Sequence, residues 1–78
     1  MRVRHYAFGQ FREYWTVSDN SFDYWLTGEE ISQWCTENFG RQTYILPNKG
    51  EPGWSKYRET FTINRQDDLT LFLLRWGN

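Results

Sequence analysis

Between Tyr57 and Trp76 the hydrophobic period of the chain changes, and any fold must accommodate both halves of that stretch. Tyr57, Phe61 and Ile63 alternate with Arg58, Thr60 and Thr62, which is the pattern of a half-buried strand. Leu69, Phe72, Leu73 and Trp76 then recur at i, i+3, i+4 and i+7, so a helix from about Arg65 lays all four against the strand's apolar face. Asn64 suits its N-cap, Asp67 and Asp68 suit the positive end of the helix dipole, and Gly77 suits its stop. The run from Leu69 to Leu74 also has β character, and the alternative for residues 65–76 is a further strand reached through a hairpin at 64–68.

The same residues carry a resemblance. An F-x-I strand, an acidic pair and L-F-x-L-R-W-G, here Phe61, Ile63, Asp67, Asp68, Leu71, Phe72, Leu74, Arg75, Trp76 and Gly77, resemble the C-terminus of small uncharacterised proteins of tailed phages, including cyanobacterial phages. The run Trp34, Cys35, Glu37, Asn38, Phe39 and Gly40 is similar as well. The resemblance covers about a quarter of the chain. It implies a phage origin and a compact α+β fold, and brings no activity and no functional residues with it.

A chain of 78 residues makes one domain and buries only about 60–65% of its unfolded surface. The usual staples of small domains are missing: one cysteine forbids an internal disulfide, and one histidine argues against a structural zinc. Sixteen aromatic residues outnumber eleven Leu, Ile and Val, so most of the rings have to be core rather than a base-stacking platform. Cys35 as a lone thiol, an N-terminus without an apolar run after Met1–His5, and no long apolar stretch lead to an expected cytoplasmic location, that of the host cell if phage-encoded, with no membrane partner.

Helix 28–39 is expected from a capping box at Thr27-Gly28-Glu29-Glu30, a Leu26–Ile31 hydrophobic staple, the stripe Ile31, Trp34, Cys35 and Phe39, and Gly40 as an αL cap. Strands are expected over 11–17, 42–46 and 56–63, with 47–53 a loop, while residues 1–12 read as a short strand or an arm. The expected architecture is therefore α+β in the order β-α-β-β-α: an antiparallel sheet of about three strands with two helices on one face, an incomplete ferredoxin-like arrangement.

No catalytic constellation is visible. Cys35 falls on the apolar stripe, His5 has no second ligand nearby in sequence, and the acid pairs Glu29-Glu30 and Asp67-Asp68 sit in first helical turns where the dipole accounts for them. Neither enzyme activity nor a cofactor or metal is expected. Net charge is −1, but residues 1–12 and 41–65 are basic and 13–40 acidic. Such sorting either neutralises itself across the fold or presents two faces to a partner or a second copy, and open sheet edges point to a homo-oligomer. Seven Arg against two Lys favours gripping of planar or anionic groups. The candidate binding residues are Trp54, Lys49, Lys56, Arg41, Arg58 and Tyr57. Two readings follow: a non-enzymatic binding protein, in the phage setting an accessory protein that inhibits or modulates a host protein or defence system, or a binder of nucleotides, small anions or single-stranded nucleic acid through stacking and arginine.

Overall fold

The structure, a computed structural model, describes residues 1–45 and 47–77. Strand β1 (Arg2–Phe8) turns through residues 9–11 into β2 (Arg12–Ser18), in antiparallel register from Arg2↔Ser18 to Phe8↔Arg12. Gly9, at φ +62°, supplies the left-handed residue that so short a connection needs. Residues 1–12 are thus mostly a full strand. Their apolar spacing is irregular because β1 lies at the sheet edge and buries neither face, leaving Val3 and Phe8 exposed.

After β2, Asp19 accepts from Ser21 N–H (3.0 Å) and the Ser21 hydroxyl (2.8 Å), starting a 3₁₀ turn over Asn20–Asp23 that inserts Phe22 into the core. Helix α1 (Trp25–Phe39) follows directly from Tyr24. It begins earlier than the capping box expects, and that box is not used: Thr27 and Glu30 lie within the helix, and Leu26 is 71% exposed, so the staple is absent too. The Phe22 anchor outweighs the local capping signal. Gly28 lets α1 approach closely, because a Cβ there would meet the Phe22 carbonyl oxygen at 2.6 Å. The stripe is as expected, with Ile31, Cys35 and Phe39 buried and Trp34 packed beside them. Gly40 caps the helix at φ +93° and ψ −168°, a glycine conformation other than the αL one.

The segment expected as strand 42–46 is not a strand over its described residues, and Leu46 lies outside them. Thr43 is tied to the outer edge of the sheet by its N–H to the Trp54 carbonyl (2.8 Å), while Tyr44 and Ile45 stand exposed. Their β propensity finds no half-buried surface to satisfy. The expected single strand 56–63 is instead a hairpin, β3 (Trp54–Tyr57) and β4 (Thr60–Ile63), turning at Arg58, which is left-handed at φ +54°. Helix, not strand, follows β4: α2 (Gln66–Trp76) has Arg65, not Asn64, at its N-cap position, with no side-chain bond capping it. Asn64 instead donates to the carbonyls of Asn48 (2.9 Å) and Glu51 (2.8 Å), holding that loop. Arg65 grips the buried Asp68 through Nε (3.0 Å) and Nη2 (3.2 Å).

The sheet therefore has four antiparallel strands in the order β1-β2-β4-β3, and the chain order is β-β-α-β-β-α. Antiparallel pairing on both sides of β4 makes β2 and β3 parallel, so β2-α1-β3 is a split βαβ unit. Trp15, Val17, Trp54, Phe61 and Ile63 point to one side and meet Ile31, Cys35 and Phe39 of α1 and Leu69 and Phe72 of α2. Trp34 joins the two helices edge-on, at 6.2 Å from Phe72 and 6.1 Å from Trp76. Six of the eleven core residues are aromatic, but the expectation that most of the sixteen rings are core does not hold, because Phe8, Phe11, Tyr24, Trp25, Tyr44 and Tyr57 stand exposed. Among the described residues no helix is long and apolar enough to cross a membrane.

Candidate functional site

With both helices on one side, the alternation of the strands dictates what the other side presents. From register, one row across the sheet is Arg2–Ser18–Thr60–Tyr57 and the next is Arg4–Thr16–Thr62–Ser55. Beyond them Tyr6 faces Tyr14, and Phe8 faces Arg12. The open face is thus built from arginines, aromatic rings and hydroxyls, with no carboxylate projecting from any of its strand positions. Tyr6 and Tyr14 stack at 5.0 Å with planes 15° apart, and Phe8 continues the row at 6.1 Å from Tyr14. Across the central strands the Ser18 and Thr60 hydroxyls lie 2.8 Å apart.

Charge is divided between the two sides. Among the described residues the arginine found in an ion pair with a carboxylate is Arg65; Arg2, Arg4 and Arg12 have none, and Arg12 donates to the Asn48 side-chain oxygen. Unpaired guanidinium groups on a face without acids form an anion-attracting surface. The acids of residues 13–40 lie elsewhere: Glu29, Glu30 and Glu37 on exposed positions of α1, and Glu13 on the helix side of β2, bonded to His5 Nε2 at 2.9 Å. Asp19 closes one end of the open face, its carboxyl held below the usual range by the Ser21 N–H, the Ser21 hydroxyl and the N-terminal ammonium. The arginines of residues 1–12 therefore gather on the open sheet face, while the basic residues of 41–65 are spread over the turn, the loop and the helix side.

Two concavities open on this face. The wider, about 680 Å³, lies over Arg2, Arg4, Tyr6, Thr16, Ser18 and Thr60, with Asp19 and Glu59 at its rim. The second, about 200 Å³, lies between Tyr14, Ser55, Thr62 and Asn64 and the segment carrying Tyr44 and Pro47.

Of the residues singled out from sequence, Tyr57 belongs to this face, at its corner. Arg58 sits beside it in the turn, its guanidinium 5.5 Å over the Tyr57 ring. Trp54 does not belong: it is 2% exposed on the helix side, stacks on Phe61 at 6.2 Å and donates its indole N–H to the Gly40 carbonyl at 2.7 Å. A ring so placed packs the core and has no free face for a ligand. Lys56 also points to the helix side, against Gly28 of α1. Arg41 is exposed after α1, and Lys49 is exposed in the loop that bonds Phe11 O. These six residues do not converge on one surface.

The residues overlooked are those of β1 and β2. Their signal was legible as two period-two runs, Arg2-x-Arg4-x-Tyr6-x-Phe8 and Arg12-x-Tyr14-x-Thr16-x-Ser18, each of which puts its polar and aromatic members on one face. Cys35 is enclosed in the core, and burial pushes its thiol up to about 12, the opposite of what a nucleophile needs. No cluster of His, Cys, Asp and Glu suited to a metal occurs among the described residues. Compared with protein-family models, curated proteins and solved structures, the chain matches none.

Proposed function

We propose that this protein is a non-catalytic module that binds single-stranded nucleic acid across the open face of its sheet. The observation that carries the reading is the composition of that face: the Tyr6–Tyr14 stack flanked by Arg2, Arg4 and Arg12, none of them ion-paired among the described residues, with no carboxylate among the strand positions. Bases stack on such rings whatever their identity, and arginines track the phosphates. Hydroxyls of Thr16, Ser18, Thr60 and Thr62 add neutral donors and acceptors between the two. The strand order and the split βαβ unit support reading the sheet as ferredoxin-like, with its last strand supplied from the N-terminus by β1. Sheets of that kind keep their helices on one side and leave the other for ligands. A net charge of −1 limits long-range attraction, so the attraction is local to the basic face.

Fluorescence anisotropy with short labelled single strands tests the reading. Binding should weaken as salt rises. Arg4→Gln should flatten the salt slope by about 0.7, one phosphate contact. Tyr6→Ala should cost about 1–3 kcal/mol for one stacked base. Both side chains lie outside the core, so folding survives either change. Absence of binding at low salt, or binding indifferent to both substitutions, would refute it.

A further inference from the structure

The two concavities differ in chemistry, and the smaller one lacks what the larger one has. None of the residues lining it carries a charge at neutral pH, whereas Arg2 and Arg4 stand over the other. Tyr14, Tyr44, Ile45 and Pro47 line it together with the hydroxyl-bearing Thr43, Ser55 and Thr62, and Asn64 lies at its base. The Asn64 amide is oriented by the two carbonyls that its Nδ2 serves, which leaves Oδ1 as the acceptor. Asn64 is only 3% exposed, and that Oδ1, itself closed to solvent, has no partner among the described residues, so it lies behind the pocket lining rather than in it. A lining of tyrosine rings and neutral donors and acceptors suits an uncharged ring system and offers a phosphate no cation. At about 200 Å³ the pocket lies below the range of roughly 300–1,000 Å³ typical of drug-sized ligands, which suits one heteroaromatic ring rather than a whole nucleotide.

Tyr14 connects this pocket to the rest of the face. Its ring stacks with Tyr6 and also lines the pocket. A strand whose backbone follows Arg2 and Arg4 and whose bases cover Tyr6 and Tyr14 would therefore reach the pocket with its next base. Tyr44 stands over that position 89% exposed, and the segment that carries it is fastened to β3 through Thr43, by its N–H (2.8 Å) and hydroxyl (3.2 Å) to the Trp54 carbonyl. So exposed a ring adds little to the fold.

We infer that this pocket is a nucleobase subsite, taking one unstacked base of the strand bound on the open face. The inference rests on the function proposed above and adds to it a single position at which the base itself is read. It makes binding position-dependent, which stacking alone does not.

The test uses a short single strand in which one abasic position is moved along the sequence, with affinity measured for the parent protein, Tyr44→Ala and Thr62→Val. Tyr44 has little packing to lose, and valine suits a strand at least as well as threonine, so both variants should fold. For the parent, one abasic position should cost about tenfold or more and the others less. Both variants should erase that difference while leaving the salt slope unchanged. Equal loss at every position, or variants that keep the parent's profile, would overturn the subsite and leave the sheet-face reading intact. Failure of any strand to bind at low salt would overturn both.

Discussion

Replacing Phe72 by alanine tests the core that holds the open face in place. Phe72 is fully buried on α2 and lies 5.4 Å from the Phe61 ring, 6.0 Å from Phe22 and 6.2 Å from Trp34, so one side chain links β4, the 3₁₀ turn and both helices. A buried ring of roughly 150 Å² at about 25 cal/mol per Å² is worth about 4 kcal/mol. Edge-on contacts with Phe22 and Trp34 and the cavity left behind place the loss toward the upper part of the usual 3–5 kcal/mol range. At about 0.05–0.15 kcal/mol per residue a domain of this size holds roughly 4–12 kcal/mol in total. With a urea slope near 1 kcal/mol/M, the midpoint should fall by about 3–5 M, leaving a parent at the low end of that range unfolded before denaturant is added. Urea titration followed by far-ultraviolet circular dichroism and tryptophan fluorescence reads the change, with Phe11→Ala as the control. Phe11 is 72% exposed and its loss should move the midpoint by no more than about 0.5 M. A Phe72→Ala midpoint within that same margin would refute the packing argument.

Two further outcomes follow from local geometry. Arg58 adopts φ +54°, which costs a side-chain-bearing residue about 1–2 kcal/mol that glycine avoids, so Arg58→Gly should raise stability in thermal or urea melts by up to about 1 kcal/mol; a loss would mean that its stacking on Tyr57 outweighs the backbone strain. Asp19 has a folded pKa below the ordinary 3.8, so its contribution is full above about pH 4 and is lost as the pH falls through the folded value. Asp19→Asn should therefore show a shallower decline of stability in acid than the parent, and parallel declines in acid titrations monitored by circular dichroism would discount the Asp19–Ser21 turn.

Composition showed that rings must enter the core, and six do, but it did not show which ones, since another six stand exposed. Both helical stripes were legible for a related reason: Ile31, Trp34, Cys35 and Phe39, and Leu69, Phe72, Leu73 and Trp76, lie within single elements, where spacing alone dictates a common face. The helix starts were not. Thr27 and Asn64 are good caps by local chemistry, yet Phe22 pulls the chain into α1 earlier and Asn64 is occupied by the carbonyls of Asn48 and Glu51. Burial and long-range hydrogen bonds outweighed the modest energy of a cap.

Pairing was decided further still from the sequence. Thr43-Tyr44-Ile45 is rich in β formers but meets the sheet only through Thr43, and the residues from 54 to 63 fold back at Arg58 rather than run straight. Strand propensity expresses fit to a neighbouring surface, and that surface exists only once the chain has folded. The same reason governs the candidate site. Arginine and aromatic residues share one parity in the first two strands, a pattern passed over in the sequence reading, and which of two equivalent faces is covered depends on where α1 and α2 pack. Trp54 and Tyr57, three residues apart in one short strand, lie on opposite sides by alternation alone, but only the packing of the helices decides that Trp54 is sealed in the core and Tyr57 stands at the edge of the open face.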